Sequence, residues 1–229
     1  GVDFVPVRLA PRAAPATSVE VVVESKPAAP APAAGSGDRA ERQALLDALR
    51  ARHDAECPHC TVATAHARTV FGEGDPCAQL MFVGEAPGAE EDRTGRPFVG
   101  RAGQKLDDMI KAMGLQRECV YIANVLKARR PNNATPTPDE AERCGPYLRE
   151  QVAIIRPRVI VALGKPAANY LLGCRDSMTS MRGRWGQYGQ TPVMPTFHPA
   201  YLLRAYTREN REKVWSDLQL AMSRLTESR

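Results

Sequence analysis

No stretch of this 229-residue chain approaches the roughly 18 consecutive apolar residues that a membrane-spanning helix needs, so no membrane helix is expected. Cysteine is sparse: Cys57, Cys60, Cys77, Cys119, Cys144 and Cys174 are too few for a disulfide scaffold in a chain this long. There are only four histidines, so each one is informative. No internal repeat is found. The Gly-rich loop at residue 84 lacks the Lys-Ser/Thr pair of a phosphate-binding P-loop. No signal peptide is read, although the chain opens on Gly1 rather than Met and an upstream piece is allowed for. The expected location is cytoplasmic.

What is present begins with a mild basic balance. The net charge is +5, which favours a polyanionic partner without establishing one. Residues 1–38 are rich in Pro and Ala and are read as a disordered tail, a tether with a possible partner of its own. Val19–Val23 within it reads as a stray strand, a docking segment or plain tail. Residues 39–229 form the folded domain. A helix over 39–53 carries Leu45, Leu46 and Leu49 on one face. Apolar runs at 79–83, 119–126, 158–163 and 192–196 predict four strands. Helical patterns at 101–113, 138–154 and 165–172 fall between them, and a last one over about 207–225 follows. Strands alternating with helices imply an α/β fold with a parallel sheet covered on both faces.

Ligands of such sheets lie beyond the carboxyl ends of the strands. Glu85, Asn124, Gly164 and His198 all fall at or just past those ends, which argues for one shared site. In Gly84-Glu85-Ala86-Pro87-Gly88 the glycines permit close backbone approach, and a carboxylate in the turn suits a developing cation better than a phosphate. Phe98, between Pro97 and Gly100, is a local anchor or a stacking platform. Asn124 is a strand-end cap or, with one donor and one acceptor, a reader of an imide edge. His198 is a satisfied core residue or a group that stabilises charge. Leu202 and Leu203 are core residues or enter a base stack while Arg204 holds a phosphate. The Cys57-x-x-Cys60 pair with Cys144 suits an iron–sulfur cluster or zinc, each of which takes four ligands, with His59 and His66 as possible extras.

These segments carry a resemblance. GEAPGAEEDRTGRPFVGRAGQ, YIANVLKARRPNNATPTPDEAERC, VALGKPAANYLLG and FHPAYLLR resemble the family 4 uracil-DNA glycosylases, the iron–sulfur branch of the uracil-DNA glycosylase superfamily, over about residues 41–225. The resemblance implies a three-layer α/β/α fold with a central, mainly parallel four-stranded sheet. It implies a DNA repair enzyme that acts on uracil-containing DNA as a monomer and hydrolyses the N-glycosidic bond. Glu85, Ala86 and Pro87 would line the uracil pocket, Phe98 would stack on the ring, Asn124 would read the imide edge and His198 would face O2.

The resemblance also implies a [4Fe–4S] cluster on four cysteines. Cys57, Cys60 and Cys144 match three of them, but the fourth position is Ala128, which cannot ligate iron. Cys77 and Cys119 are expected at the far edge of the sheet, and Cys174 follows a helix. The alternatives are a three-cysteine cluster, a cluster with a non-cysteine ligand, no cluster, or an engineered change. One related branch traps its product covalently through a His in an inserted Arg/Lys-rich loop. No such insertion stands between Arg129 and Cys144, so turnover is expected. Chemically, Glu85 suits the developing oxocarbenium or an attacking water, and His198 suits the leaving uracilate. The other function classes are a damage sensor of the same fold that has lost turnover, and a nucleotide-binding α/β protein.

Overall fold

The computed structural model describes residues 39–57 and 66–227. The tail 1–38, with Val19–Val23, and the expected ligand Cys60 lie outside the described residues, as does His59.

The first helix, α1 (Arg39–Glu56), is followed by a short strand β1 (Glu73–Gly74) and by β2 (Leu80–Gly84). Then come α2 (Ala89–Thr94), α3 (Arg101–Ala112), β3 (Tyr121–Asn124), α4 (Pro138–Ile155), β4 (Val159–Leu163) and α5 (Lys165–Leu172). The chain continues through α6 (Met178–Met181), β5 (Gly186–Tyr188), β6 (Thr191–Thr196), α7 (Pro199–Arg204) and α8 (Arg208–Thr226). The sheet order is β1-β3-β2-β4-β6-β5. The four inner strands are mutually parallel, and the two short edge strands run antiparallel to their neighbours. The four strands expected from the apolar runs are therefore the centre of a mixed six-stranded sheet. The edges β1 and β5 span two and three residues, too short to leave an apolar pattern.

Every residue of β2 (LMFVG) and β4 (VIVAL) is buried, as expected of parallel strands covered on both faces. Alternate side chains point to opposite sides. Met81, Val83, Ala123, Ile160 and Ala162 pack against α1, α4 and α5 through Leu46, Leu148, Val152 and Leu171. Leu80, Phe82, Ile122, Val161 and Met194 pack against α3 and α8 through Leu106, Ile110, Val214 and Leu218. Two helical layers thus enclose the sheet. Leu45, expected on one apolar face of α1 with Leu46 and Leu49, is instead 49% exposed, and Trp215 of α8 is 36% exposed. Neighbouring Leu46 and Val214 take the inward positions.

Helix α4 starts where the sequence says it must. Thr137 caps it and exchanges hydrogen bonds with Glu140, and Pro138 takes the first helical position, where a missing N–H costs nothing. Among the described residues no helix is long and apolar enough to cross a membrane.

Candidate functional site

The carboxyl ends of β2, β3, β4 and β6 open on one cavity of about 810 Å³. Glu85, Ala86, Pro87, Phe98, Asn124 and His198 all line it, with Gly164, Tyr201 and Arg204. The sheet thus brings together the residues that the strand ends single out.

Close approach at the pocket floor depends on Gly84. It pairs with Asn124 across β2 and β3. A Cβ there would stand 2.4 Å from Asn124 Oδ1 and 2.5 Å from Phe98 Cζ. The turn that follows is laced to the chain leaving β3: Val125 N–H donates to the Gly84 carbonyl and Leu126 N–H to the Glu85 carbonyl, each at 3.0 Å. Phe98 sits at φ 51°, a left-handed backbone that a bulky residue adopts only when its surroundings impose it. Those surroundings are identifiable. Buried Glu91 accepts from the N–H groups of Val99 and Gly100, both at 2.9 Å, and from Gly88 at 3.1 Å. Arg117 donates to the Phe98 carbonyl at 3.2 Å and pairs with Asp107 at 2.7 Å. Glu91 thus caps the start of α2 and ties the Glu85 turn to the Phe98 turn.

Phe98 faces His198 with ring centroids 5.7 Å apart and planes 33° from parallel. Asn124 is 1% exposed, and its Oδ1 has no hydrogen-bond partner among the described residues. A buried acceptor left open is costly unless something fills it. Its backbone carbonyl is engaged, by the buried Lys127 Nζ at 2.8 Å. Lys127 also donates to Gln151 Oε1 at 2.6 Å and lies 5.5 Å from the centre of the Phe71 ring. It pins the end of β3 from behind the pocket, a role that the sequence reading missed.

His198 caps α7, and its Nδ1 accepts the Ala200 N–H at 3.1 Å. An accepting Nδ1 carries no proton, so the neutral ring holds its proton on Nε2. Burial pushes its pKa down to about 4, helped by the Arg204 charge and opposed by Glu91. His198 is therefore a neutral donor at physiological pH. Glu85 is shifted the other way. Desolvation raises its pKa, and the charge of Arg130 partly offsets that. The strand that delivers His198 is fixed by Asp217, fully buried, which accepts from Thr196 Oγ1 at 2.7 Å and from Arg182 Nη2 at 2.8 Å.

At the rim, Pro199–Arg204 form the short helix α7, capped by His198. Leu202 is 3% exposed and packs in the core with Leu106 and Leu218. It is not available to enter a base stack. Leu203 is half-buried and Arg204 exposed, so of the three residues expected to meet DNA these two remain. Arg130, Lys165 and Arg204 give the mouth a basic lining.

A second cluster lies behind the pocket. His53, Cys57 and Cys144 are all buried, and their ligand atoms lie within 4.8 Å of one another. The two sulfurs are 3.8 Å apart. Leu49, Phe71, Leu126 and Tyr147 surround the group, with Ala86 of the pocket turn packed against it. Ala128 is fully buried and offers no donor. These residues do not fit a four-cysteine [4Fe–4S] cluster. One position lacks a thiolate, and in such a cluster each cysteine binds its own iron, which holds the sulfurs farther apart than this. Among the described residues His53, not His66, is the histidine of the group. Its signal was its position four residues before Cys57, on the same helix face. Cys77, Cys119 and Cys174 are not part of it. Cys174 contacts Asn169 and Met181 instead.

The family model of the uracil DNA glycosylase superfamily matches residues 71–219. The chain is 45% identical to the type-4 uracil-DNA glycosylase of Thermotoga maritima over 186 residues, covering 80% of this chain and 95% of that one. It is 43% identical to the type-4 enzyme of Archaeoglobus fulgidus, covering 71% and 85%. It is 32% identical to the type-5 uracil-DNA glycosylase of Pyrobaculum aerophilum, covering 56% and 64%. The matched span runs from β1 into α8 and contains every pocket residue named above; the chain belongs to the uracil-DNA glycosylase superfamily.

Proposed function

We propose that this chain extrudes uracil from DNA, hydrolyses its N-glycosidic bond and releases the free base, leaving an abasic site. The observation that carries the reading is the open, buried Oδ1 of Asn124 in a pocket also lined by Glu85, Phe98 and His198. A uracil ring supplies what that atom lacks: its N3–H donates to Oδ1 while the amide NH₂ meets O4. Cytosine presents a donor where uracil presents an acceptor, so one amide separates them.

A base within a duplex is out of reach, so the nucleotide must leave the stack. Phe98 offers a flat apolar face, worth about 1–3 kcal/mol for a stacked base. Breaking the C1′–N1 bond puts positive charge on the sugar and negative charge on the base. Glu85, ionised, stabilises the first or orients the attacking water. His198 stabilises the second by donating its Nε2–H to O2. A preorganised donor of this kind contributes about 3–4 kcal/mol. Ala86 and Pro87 close the pocket wall. Leu203 fills the gap that the base leaves, and Arg204 holds a flanking phosphate. One chain supplies every group, so the active species is a monomer. His53, Cys57 and Cys144 are absent from the pocket lining, and no step passes through them. Their place behind Ala86 suits a structural role.

The test is release of free uracil from single- and double-stranded oligonucleotides, with more than one uracil freed per protein chain. Binding without release would instead mark a damage sensor of the same fold.

A further inference from the structure

We propose that His53, Cys57 and Cys144 occupy three corners of a mononuclear tetrahedral metal site of the zinc class. The geometry is the first argument. With metal–sulfur bonds of about 2.3 Å, two thiolates on one tetrahedral ion stand about 3.8 Å apart. The Cys57 and Cys144 sulfurs are 3.8 Å apart. Thiolates held by separate irons of a cluster are spaced more widely.

The second argument is the histidine. Zinc takes mixed imidazole and thiolate sets readily, whereas four-iron clusters are held predominantly by thiolates. His53 is fully buried at the end of α1, one turn before Cys57. Its Nδ1 lies 2.8 Å from Asp54 Oδ1. Asp54 Oδ1 is in turn held by Thr69 Oγ1 at 2.8 Å. A carboxylate on one ring nitrogen fixes the ring, an arrangement that supports metal-bound histidines widely. The Tyr147 ring packs edge-on at 4.8 Å and confines the imidazole further. The third argument is Ala128, buried and without a donor where a fourth thiolate would be needed for the cluster. Among the described residues the trio supplies three of the four ligands that a tetrahedral ion takes.

This inference does not depend on uracil excision, and its readouts do not involve it. The full chain is produced in medium containing both zinc and iron, and its metal and acid-labile sulfide are measured. We expect one zinc per chain, no sulfide and no visible iron–sulfur absorption, before and after anaerobic treatment with ferrous iron and sulfide. Four irons and four sulfides per chain would overturn the proposal, as would a chain that binds no metal. Cobalt(II) then replaces zinc, and the ligand-field bands of the wild type are compared with those of His53→Cys. That variant keeps a ligand at the corner, so unfolding does not confuse the result. A band shift toward an all-sulfur set is expected. An identical spectrum would remove His53 from the site. His53→Ala is expected to weaken metal binding at least tenfold, measured by competition with a chromogenic chelator; unchanged affinity would contradict the assignment.

Discussion

Gly84 and Asn124 sit side by side on β2 and β3, and a single methyl on Gly84 would stand 2.4 Å from the Asn124 Oδ1. It would also meet Phe98 Cζ at 2.5 Å. The reader of the base edge and the stacking ring therefore share a wall that only glycine permits. Gly84→Ala is expected to lower single-turnover uracil excision about 100-fold, the scale of a 1 Å misplacement. Its thermal unfolding should shift far less than its rate. A variant as active as the wild type would show that the floor has room to spare.

Asn124 gives a second prediction. Because Oδ1 has no partner among the described residues, Asn124→Ala removes an unsatisfied atom rather than a native bond. Stability should be nearly unchanged, while excision falls by a factor of about 100 or more, since a site built to hydrogen-bond its substrate discriminates strongly. Asn124→Asp should shift preference toward cytosine. Denaturant titration and competition between uracil- and cytosine-bearing oligonucleotides measure the two effects separately.

The opposite shifts of Glu85 and His198 set the pH profile. Burial raises the Glu85 pKa above 4.5, so the carboxylate form is lost as pH falls through that raised value. His198, lowered to about 4, stays neutral throughout the range. The acid limb of kcat/KM should follow Glu85, with no inflection at the ordinary histidine value. Glu85→Gln should be slow and flat in pH, whereas His198→Asn should be slow and keep the limb. Stability behaves differently. Between pH 6.5 and about 4 the unfolded chain binds a proton at His198 that the folded chain refuses. Its contribution to stability therefore declines as pH falls through that window. His198→Asn should flatten this part of the stability curve, measured by urea unfolding across pH.

Much of this arrangement is legible in the sequence. β2 and β4 are unbroken apolar runs because both of their faces are covered. Glu85, Asn124 and His198 stand where such strands end, and the parallel sheet brings their ends together. What remained hidden depends on distance rather than pattern. Leu202 and Leu203 are adjacent in sequence, yet a helical turn sends the first into the core and leaves the second half-buried. Lys127 reads as a surface charge next to Arg129, but it donates hydrogen bonds to Gln151 Oε1 and the Asn124 carbonyl inside the protein. His53 looked like the end of a helix. Only the fold brings Cys144, 87 residues after Cys57, within 3.8 Å of it.

Asp217 offers a test of the scaffold itself. It is fully buried and joins α8 to Thr196 and Arg182, just before the turn that carries His198. Removing one member of such a buried pair typically costs about 3–5 kcal/mol. Asp217→Ala should lose stability on that scale, while Asp217→Asn, which can still accept from Thr196, should lose less. Urea unfolding of both variants decides it; equal losses would mean that the charge matters and the Thr196 bond does not.

A crystal structure of the chain with uracil and abasic-site DNA tests the account most directly. The account predicts the free base stacked on Phe98, its N3 within hydrogen-bond distance of Asn124 Oδ1, its O2 facing His198 Nε2 and its sugar side facing Glu85. Uracil bound elsewhere, or the pocket filled by protein side chains with Asn124 still unpartnered, would contradict it.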